Sequence, residues 1–160
     1  MRTALVVLFL SIATLAPAQG RNVVYGEIGG NGIAPTINYE RQFGDRLFGR
    51  AGLGVVYGES SSGDSDTTFV IPLMLNYLSH PAGNHHFELG GGFTLVTGES
   101  QDFFDDVDED ETISNLVGTA TIGYRFQRPV RGFVFKAGIT PVFVESEVFP
   151  WGGVSFGYRW

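Results

Sequence analysis

Hydrophobic and polar residues alternate along most of this chain with a period of two, and no segment after the first residues keeps a helical period. The alternating segments are separated by turn-forming runs, which is the pattern of β-strands joined by short connections. The pattern predicts eight strands, over residues 22–32, 33–43, 46–58, 67–78, 85–98, 113–126, 132–144 and 151–160.

The two faces of the predicted strands differ in chemistry. Phe69, Leu73 and Tyr77 share one face of the fourth segment, and Phe133 and Phe135 share one face of the seventh. The opposite face is mostly Gly, Thr, Ser and Asn, with isolated charges. A soluble sandwich or lipocalin-like barrel would bury the large apolar face, whereas a transmembrane barrel would turn it toward lipid.

Three features favour the transmembrane arrangement. The segments reach the ~9–11 residues that a tilted strand needs to cross hydrocarbon. The polar face is poorer in Lys and Glu than a soluble surface should be, and small residues suit the narrow interior of an eight-stranded barrel. The sequence therefore predicts an all-β fold, an eight-stranded antiparallel up-and-down transmembrane β-barrel.

The predicted connections alternate in length and in charge. Those at 44–46, 80–84 and 127–131 are short, and those at the other end are a tight connection near Gly32 and longer ones at 59–66, 99–112 and 145–150. The three longer connections hold three, eight and two of the 17 acidic residues and no Lys or Arg. Outer-membrane barrels have short periplasmic turns and longer extracellular loops, so we expect both termini in the periplasm.

The first residues have the features of a signal peptide. Arg2 precedes an apolar run from Ala4 to Leu15, which is shorter than the ~20 residues of a membrane-spanning helix. Ala16 and Ala18 supply the small residues of a cleavage site. We predict a signal peptide over 1–18 and a barrel domain over 19–160.

Seven charged residues fall on the face that would line the lumen: Glu27, Glu40, Arg50, Glu88, Arg125, Lys136 and Arg159. Unpaired charges are costly in a narrow, low-dielectric space, so we expect ion pairs that fill the lumen and fix the strand register. Glu40 and Arg50 lie symmetrically about the 44–46 turn and should face each other across neighbouring strands. A proton or small-ion path is the alternative, for which such a barrel leaves little room.

The densest acidic cluster lies in the 99–112 connection. Its candidate ligands for a divalent cation are Asp105, Asp106, Asp108 and Asp110. The spacing resembles the start of an EF-hand loop, but Glu111 takes the place of the required Gly and Val117 that of the closing Glu. We expect a solvated loop or weak Ca²⁺ or Mg²⁺ binding, and no other cofactor.

The sequence gives little support for nucleic-acid binding, for a histidine metal site or for catalysis. The chain has no Cys, and its formal net charge of −7 without basic clusters argues against nucleic-acid binding. His80, His85 and His86 all lie around one predicted periplasmic turn, far from the serines of the outer loops. His85 and His86 are adjacent on a strand and point to opposite faces, so they cannot chelate one ion together. We expect no enzyme, and a lipid-modifying activity is disfavoured.

The two ends of the predicted barrel resemble a known family. Val154, Phe156, Tyr158 and Trp160 alternate to the last residue, as in the C-terminal assembly signal of bacterial outer-membrane proteins. The first hairpin, from Tyr25 to Phe43, resembles the opening of small outer-membrane β-barrel domain proteins. The resemblance implies an outer-membrane location, contact with outer-membrane lipids, and contact with the assembly machinery through the last strand. It implies no agreed activity.

These observations predict a barrel with a filled lumen and acidic extracellular loops. Its expected role is structural or surface-interacting, through adhesion, ligand binding or cation binding, with the ligand of the loops left open. The alternative function is a narrow pore or carrier for small molecules across the outer membrane.

Overall fold

The chain forms one continuous antiparallel sheet. A computed structural model describes residues 20–59, 65–79, 83–98, 115–144 and 147–160. Its strands are β1 Asn22–Gly29, β2 Thr36–Gln42, β3 Leu47–Glu59, β4 Ser65–Leu78, β5 His85–Gly98, β6 Asn115–Gln127, β7 Gly132–Ile139, β8 Val142–Val144, β9 Glu147–Phe149 and β10 Gly152–Arg159.

The ten segments make eight barrel strands. β7 and β8 form the seventh, interrupted at Thr140 and Pro141, and β9 and β10 form the eighth, interrupted at Pro150 and Trp151. Both interruptions contain a proline, which cannot donate a ladder hydrogen bond. None of the described helical turns is long and apolar enough to cross a membrane.

The sheet closes on itself. Each barrel strand pairs antiparallel with the next along the chain, and β1 pairs with β10 in a register that places Val23 opposite Arg159. Closure leaves no sheet edge along the paired wall. The predicted eight-stranded antiparallel barrel is confirmed.

The apolar side chains face outward. Leu73 is 43% exposed and Phe156 is 54% exposed, whereas Met74 and Ser155, their neighbours along the chain, are buried in the lumen. Successive residues of a strand point to opposite faces, so the same alternation continues around the barrel. This arrangement is the reverse of a soluble barrel, in which the large apolar side chains would gather around the centre.

The two ends of the barrel differ. At the turn end, defined by the two described termini and the connections at 43–46 and 128–131, the backbone N–H of Gln42 donates to Arg21 O at 2.8 Å. The connection between β4 and β5 also lies at the turn end, whereas the loop end carries the connection at 30–35, the end of β3 and the beginning of β4. The predicted signal peptide and the acidic cluster of 99–112 lie outside the described residues.

The first connection differs from the expected tight turn. β1 ends at Gly29 and β2 begins at Thr36, and a 3₁₀ turn over Gly30–Gly32 folds into the lumen between them. Gly29 and Gly30 have φ of 73° and 68°, a region that glycine enters without a steric penalty. The glycines therefore let the chain leave the wall and turn inward, where alternation alone predicted longer strands.

Candidate functional site: the lumen and its loop-end mouth

The strands carry all seven of the charged residues assigned to the lumen into its interior. Glu40 and Arg125 are 0% exposed, and the other five are also buried. They occur on seven of the eight barrel strands, one on each, and all lie on the lumen-facing side of the wall. Because an eight-stranded barrel is narrow, their long side chains meet across the lumen as well as along the wall.

Four of these residues form a closed ring of charges, which we call the central cluster. Arg125 Nη1 lies 2.5 Å from Glu40 Oε1 and 3.8 Å from Glu88 Oε2. Lys136 Nζ lies 2.8 Å from Glu88 Oε1 and 3.4 Å from Glu40 Oε2. Each charge therefore has two opposite charges as neighbours, which offsets the loss of hydration better than an isolated pair does.

Two aromatic side chains pack against the central cluster. Lys136 Nζ lies 4.6 Å from the ring centre of Tyr25 and donates to its hydroxyl at 3.1 Å. The guanidinium of Arg125 lies 4.8 Å from the ring centre of Phe48. Cations over aromatic faces are stabilised further when water is excluded. Neither aromatic was predicted from the sequence to line the lumen, although Tyr25 shares strand parity with Glu27, and Phe48 with Arg50.

Glu27 and Arg50 form a second ion pair nearer the loop end. Arg50 Nη2 lies 2.5 Å from Glu27 Oε1, and Arg50 Nε donates to Asn38 Oδ1 at 2.9 Å. Ser155 Oγ donates to the other oxygen of Glu27 at 3.1 Å. Glu40 and Arg50 are opposite each other in the β2–β3 register, but their closest ion-pair partners are different residues, since both side chains reach across the lumen.

Asn31, at the tip of the inward turn, closes the stack of polar side chains. Its Nδ2 donates to Thr119 Oγ1 at 2.8 Å and to Ala120 O at 2.9 Å. Its Oδ1 accepts from Arg50 Nη1 at 2.8 Å and from Thr121 Oγ1 at 2.9 Å. All four hydrogen-bonding positions of the amide are filled, so the turn is anchored as a plug. The sequence signal for it is the run from Gly29 to Gly32.

Arg159 lies nearer the turn end. Its guanidinium donates to Gly20 O and, at 2.6 Å, to Gln42 Oε1. These neutral acceptors connect the last strand to the beginning of the described chain and to β2. Arg159 therefore belongs to the seam between the first and last strands rather than to the central cluster.

The polar stack leaves little free space. The cavity beside Glu27, Lys136 and Thr140 has a volume of about 20 Å³, which is room for a single water molecule. At the loop-end mouth, by contrast, an apolar pocket of about 400 Å³ lies between the inward turn and strands β3 to β5. The lumen is thus filled in its middle and open at its mouth.

The predicted assembly-signal residues lie on the outer surface, and the two described histidines lie near the turn end. Val154, Phe156, Tyr158 and Trp160 are all exposed on the outer face, at the β10 side of the seam. His85 Nδ1 lies 2.6 Å from Tyr124 Oη, and His86 Nδ1 lies 3.3 Å from Ser79 O. The structure does not bring the two histidines to one point. The candidate cation ligands Asp105, Asp106, Asp108 and Asp110 lie outside the described residues.

Comparison with solved structures bears on the fold. The chain is similar to the N-terminal β-barrel domain of Pseudomonas aeruginosa OprF, with a TM-score of 0.60 and 11% identity over 89% of this chain and 100% of that one. It also matches Yersinia pestis outer membrane protein Ail, with a TM-score of 0.48 and 14% identity over 89% and 100% of the two chains. No protein-family model and no curated protein matches the sequence. At this level of identity the OprF likeness supports the barrel fold.

Proposed function

We propose that this chain is an outer-membrane barrel with a closed lumen and a structural or surface-interaction role. The main support for this proposal is that the barrel has the reverse polarity of a soluble barrel. Its outer face is apolar, and its lumen is filled by paired charges. Only a hydrocarbon environment makes such an outer face favourable over the whole circumference. The central cluster and the Asn31 plug occupy the space that a solute path would need.

The proposal includes the partners of each surface. Outer-membrane lipids cover the apolar face, and the exposed side chains of β10 serve as the assembly signal. The acidic loops are extracellular in this orientation, and they present carboxylates to a ligand, a surface or weakly bound Ca²⁺ or Mg²⁺. The turn end, with its two described termini, faces the periplasm.

A non-enzymatic role agrees with the histidine contacts. His85 is paired with the Tyr124 hydroxyl at the turn end, and His86 points to the carbonyl of Ser79. A general base must lie within hydrogen-bond reach of the group that it deprotonates. Both described histidines lie at the end of the barrel opposite to the outer leaflet, so neither is placed to act on a lipid there.

Two measurements test the closed-barrel proposal on the whole protein. Folded in detergent and run on SDS gels, it should migrate differently before and after boiling, as a folded membrane barrel does. Reconstituted in a planar bilayer, it should give no discrete conductance steps. A protein that stays in solution without detergent would contradict the membrane location, and regular ion steps would contradict the closed lumen.

The alternative of a pore or carrier for small molecules receives support from one feature, the apolar pocket at the loop-end mouth. This pocket is bordered by Gly32 and Ile33 of the first connection, and none of its described lining residues belongs to the central cluster. It therefore favours binding at the mouth over passage through the barrel.

A further inference from the structure

Five arginines gather at the turn end of the barrel. Arg21 precedes β1, Arg41 lies near the end of β2, Arg46 lies in the β2–β3 turn, and Arg128 and Arg131 lie in the β6–β7 turn. Four of them are exposed, and Arg41 is half-buried. We call this set the basic rim. Because its members come from three separate parts of the chain, the sequence itself shows no basic run.

Barrel closure makes the basic rim continuous across the seam between the first and last strands. The backbone of Gly20 packs against the carbonyl oxygen of Val130, which places Arg21 beside the β6–β7 turn. The backbone N–H of Gln42 donates to Arg21 O, which connects Arg21 to the end of β2. The basic rim therefore runs from β6, through the seam, to β3.

The charge at this end of the barrel is mostly positive. Asp45 is the only acidic residue in the described turns and described termini there, and the adjoining sequence segments 1–19 and 80–82 contain none. In the lumen just inside the basic rim, Arg159 donates to two neutral acceptors, Gly20 O and Gln42 Oε1. A field of one sign concentrates the opposite charge. The turn end therefore fits an anionic partner.

Two of the arginines place the basic rim at the level of a membrane surface. Arg41 is the only Arg or Lys on the outer face of the described strands, and it lies on the same face as Tyr39. Arg46 Nη1 donates to the hydroxyl of Tyr77 at 3.0 Å, and Tyr77 is exposed on that outer face. Tyrosine is enriched where hydrocarbon meets lipid head groups, and arginine at the edge of the hydrocarbon extends toward them. Both arginines therefore lie where lipid phosphates lie.

The chemistry of the basic rim selects the head group. Arginine binds phosphate through charge-assisted and often bidentate hydrogen bonds, and basic residues at a membrane surface attract anionic lipids. A zwitterionic head group adds a cation that the basic rim repels. We propose that the basic rim binds anionic phospholipids of the periplasmic leaflet, through Arg41 and Arg46 at the edge of the hydrocarbon, and that the other three arginines strengthen the attraction. The inference rests on the proposed membrane location and orientation.

The two tryptophans of the chain allow a test at both ends of one barrel. Trp160 is exposed at the turn end and Trp151 at the loop end, so Trp151→Phe and Trp160→Phe each keep one reporter. The whole protein is placed in phosphatidylcholine nanodiscs that contain a minor fraction of brominated phosphatidylglycerol or, in parallel, of brominated phosphatidylcholine. Brominated phosphatidylglycerol should quench Trp160 at least about twofold more than brominated phosphatidylcholine does, and Trp151 should show no such preference. Equal quenching of Trp160 by the two lipids, or the same preference at Trp151, would overturn the inference.

Paired variants assign the preference to the basic rim. Arg41→Gln with Arg46→Gln should remove at least about half of the excess quenching of Trp160, whereas Arg41→Lys with Arg46→Lys keeps the charge and should retain most of it. Heat-shifted migration on SDS gels shows which variants are folded. If the glutamine pair does not fold, Arg128→Gln with Arg131→Gln removes two exposed charges from the other side of the seam. A folded glutamine variant with the full preference would overturn the assignment to these arginines.

Soluble anions separate a lipid site from other anionic partners. Added phosphate should lower the preference no more than chloride of equal ionic strength does, because both act by screening. A selective loss with phosphate would indicate a free-anion site, and a selective loss with poly-glutamate would indicate an acidic protein partner. Either result would overturn the lipid assignment and leave the membrane barrel intact. A protein that shows no heat shift, and no quenching by either brominated lipid, would overturn the membrane barrel itself.

Discussion

The middle of the lumen and its loop-end mouth share one wall of strands but are filled in opposite ways. In the middle, four ion pairs of 2.5–3.8 Å join Glu40 and Glu88 to Arg125 and Lys136, and the cavity beside them has room for about one water molecule. At the mouth, valines line a pocket of about 400 Å³. The difference indicates that the central cluster stabilises the barrel, whereas the mouth leaves space for a ligand at small cost to the stability of the fold.

Removing one charge from the central cluster should have the largest effect on stability. Glu40→Gln leaves Arg125 and Lys136 with one carboxylate instead of two, and breaking a buried ion pair costs about 3–5 kcal/mol. Urea unfolding in lipid vesicles, followed by tryptophan fluorescence, should show a loss of stability of that order. Asp45→Asn, at an exposed carboxylate in the β2–β3 turn, is the matched control and should change stability by less than about 0.5 kcal/mol. Equal losses of stability in the two variants would show that a carboxylate of the central cluster contributes no more to stability than an exposed carboxylate does.

Truncating one valine in each region should show the same difference in packing between the middle of the lumen and its mouth. Val134 is 0% exposed in the packed region beside Val23 and Tyr25, and Val134→Ala should cost about 1–3 kcal/mol through two lost methyl groups and the cavity left behind. Val70 already borders the mouth pocket, so Val70→Ala should cost less than half as much. The same unfolding assay measures both, and a larger loss for Val70→Ala would mean that the mouth is packed like the middle.

The smallest loss of stability is expected at the inward turn, which separates the middle of the lumen from its mouth. Thr94 Oγ1 donates to Asn31 O at 2.6 Å, and Thr94→Val removes this bond while keeping the side-chain shape. The expected loss is about 0.5–1.5 kcal/mol. Thr97→Val, at a half-buried position of the other face of β5, should leave the stability almost unchanged. If the two threonine variants behave alike, the inward turn is not anchored through its backbone.

The fold was predictable because its determinants are local. A period of two assigns each residue of a strand to a face, so the outward position of Leu73 and the inward position of Glu88 follow from parity alone. The turns at 43–46 and 128–131 were recognisable from their turn-forming residues. Strand boundaries deviated most at the first hairpin, where glycines with positive φ let the chain leave the wall.

The pairing within the lumen was less predictable, because it depends on residues far apart in the chain. Register arguments place Glu40 opposite Arg50 on the next strand, yet Glu40 pairs with Arg125 of β6 and Lys136 of β7. Long side chains in a narrow barrel can reach partners on several strands, so their pairing depends on how the barrel closes. The mouth pocket was unpredictable for a similar reason, since its lining combines the inward turn between β1 and β2 with residues of β3, β4 and β5.

The central claim, that the apolar face lies against lipid, has a direct test in spin-label accessibility. The chain has no native cysteine, so Leu73→Cys and Phe156→Cys each carry one label, with Asp45→Cys as the label in water. In lipid vesicles, the labels at 73 and 156 should collide more with oxygen, which dissolves in lipid, than with a water-soluble nickel chelate, and the label at 45 should show the opposite preference. Labels at 73 and 156 that prefer the nickel chelate, or that neither reagent reaches, would contradict the outward, lipid-facing position of the apolar face.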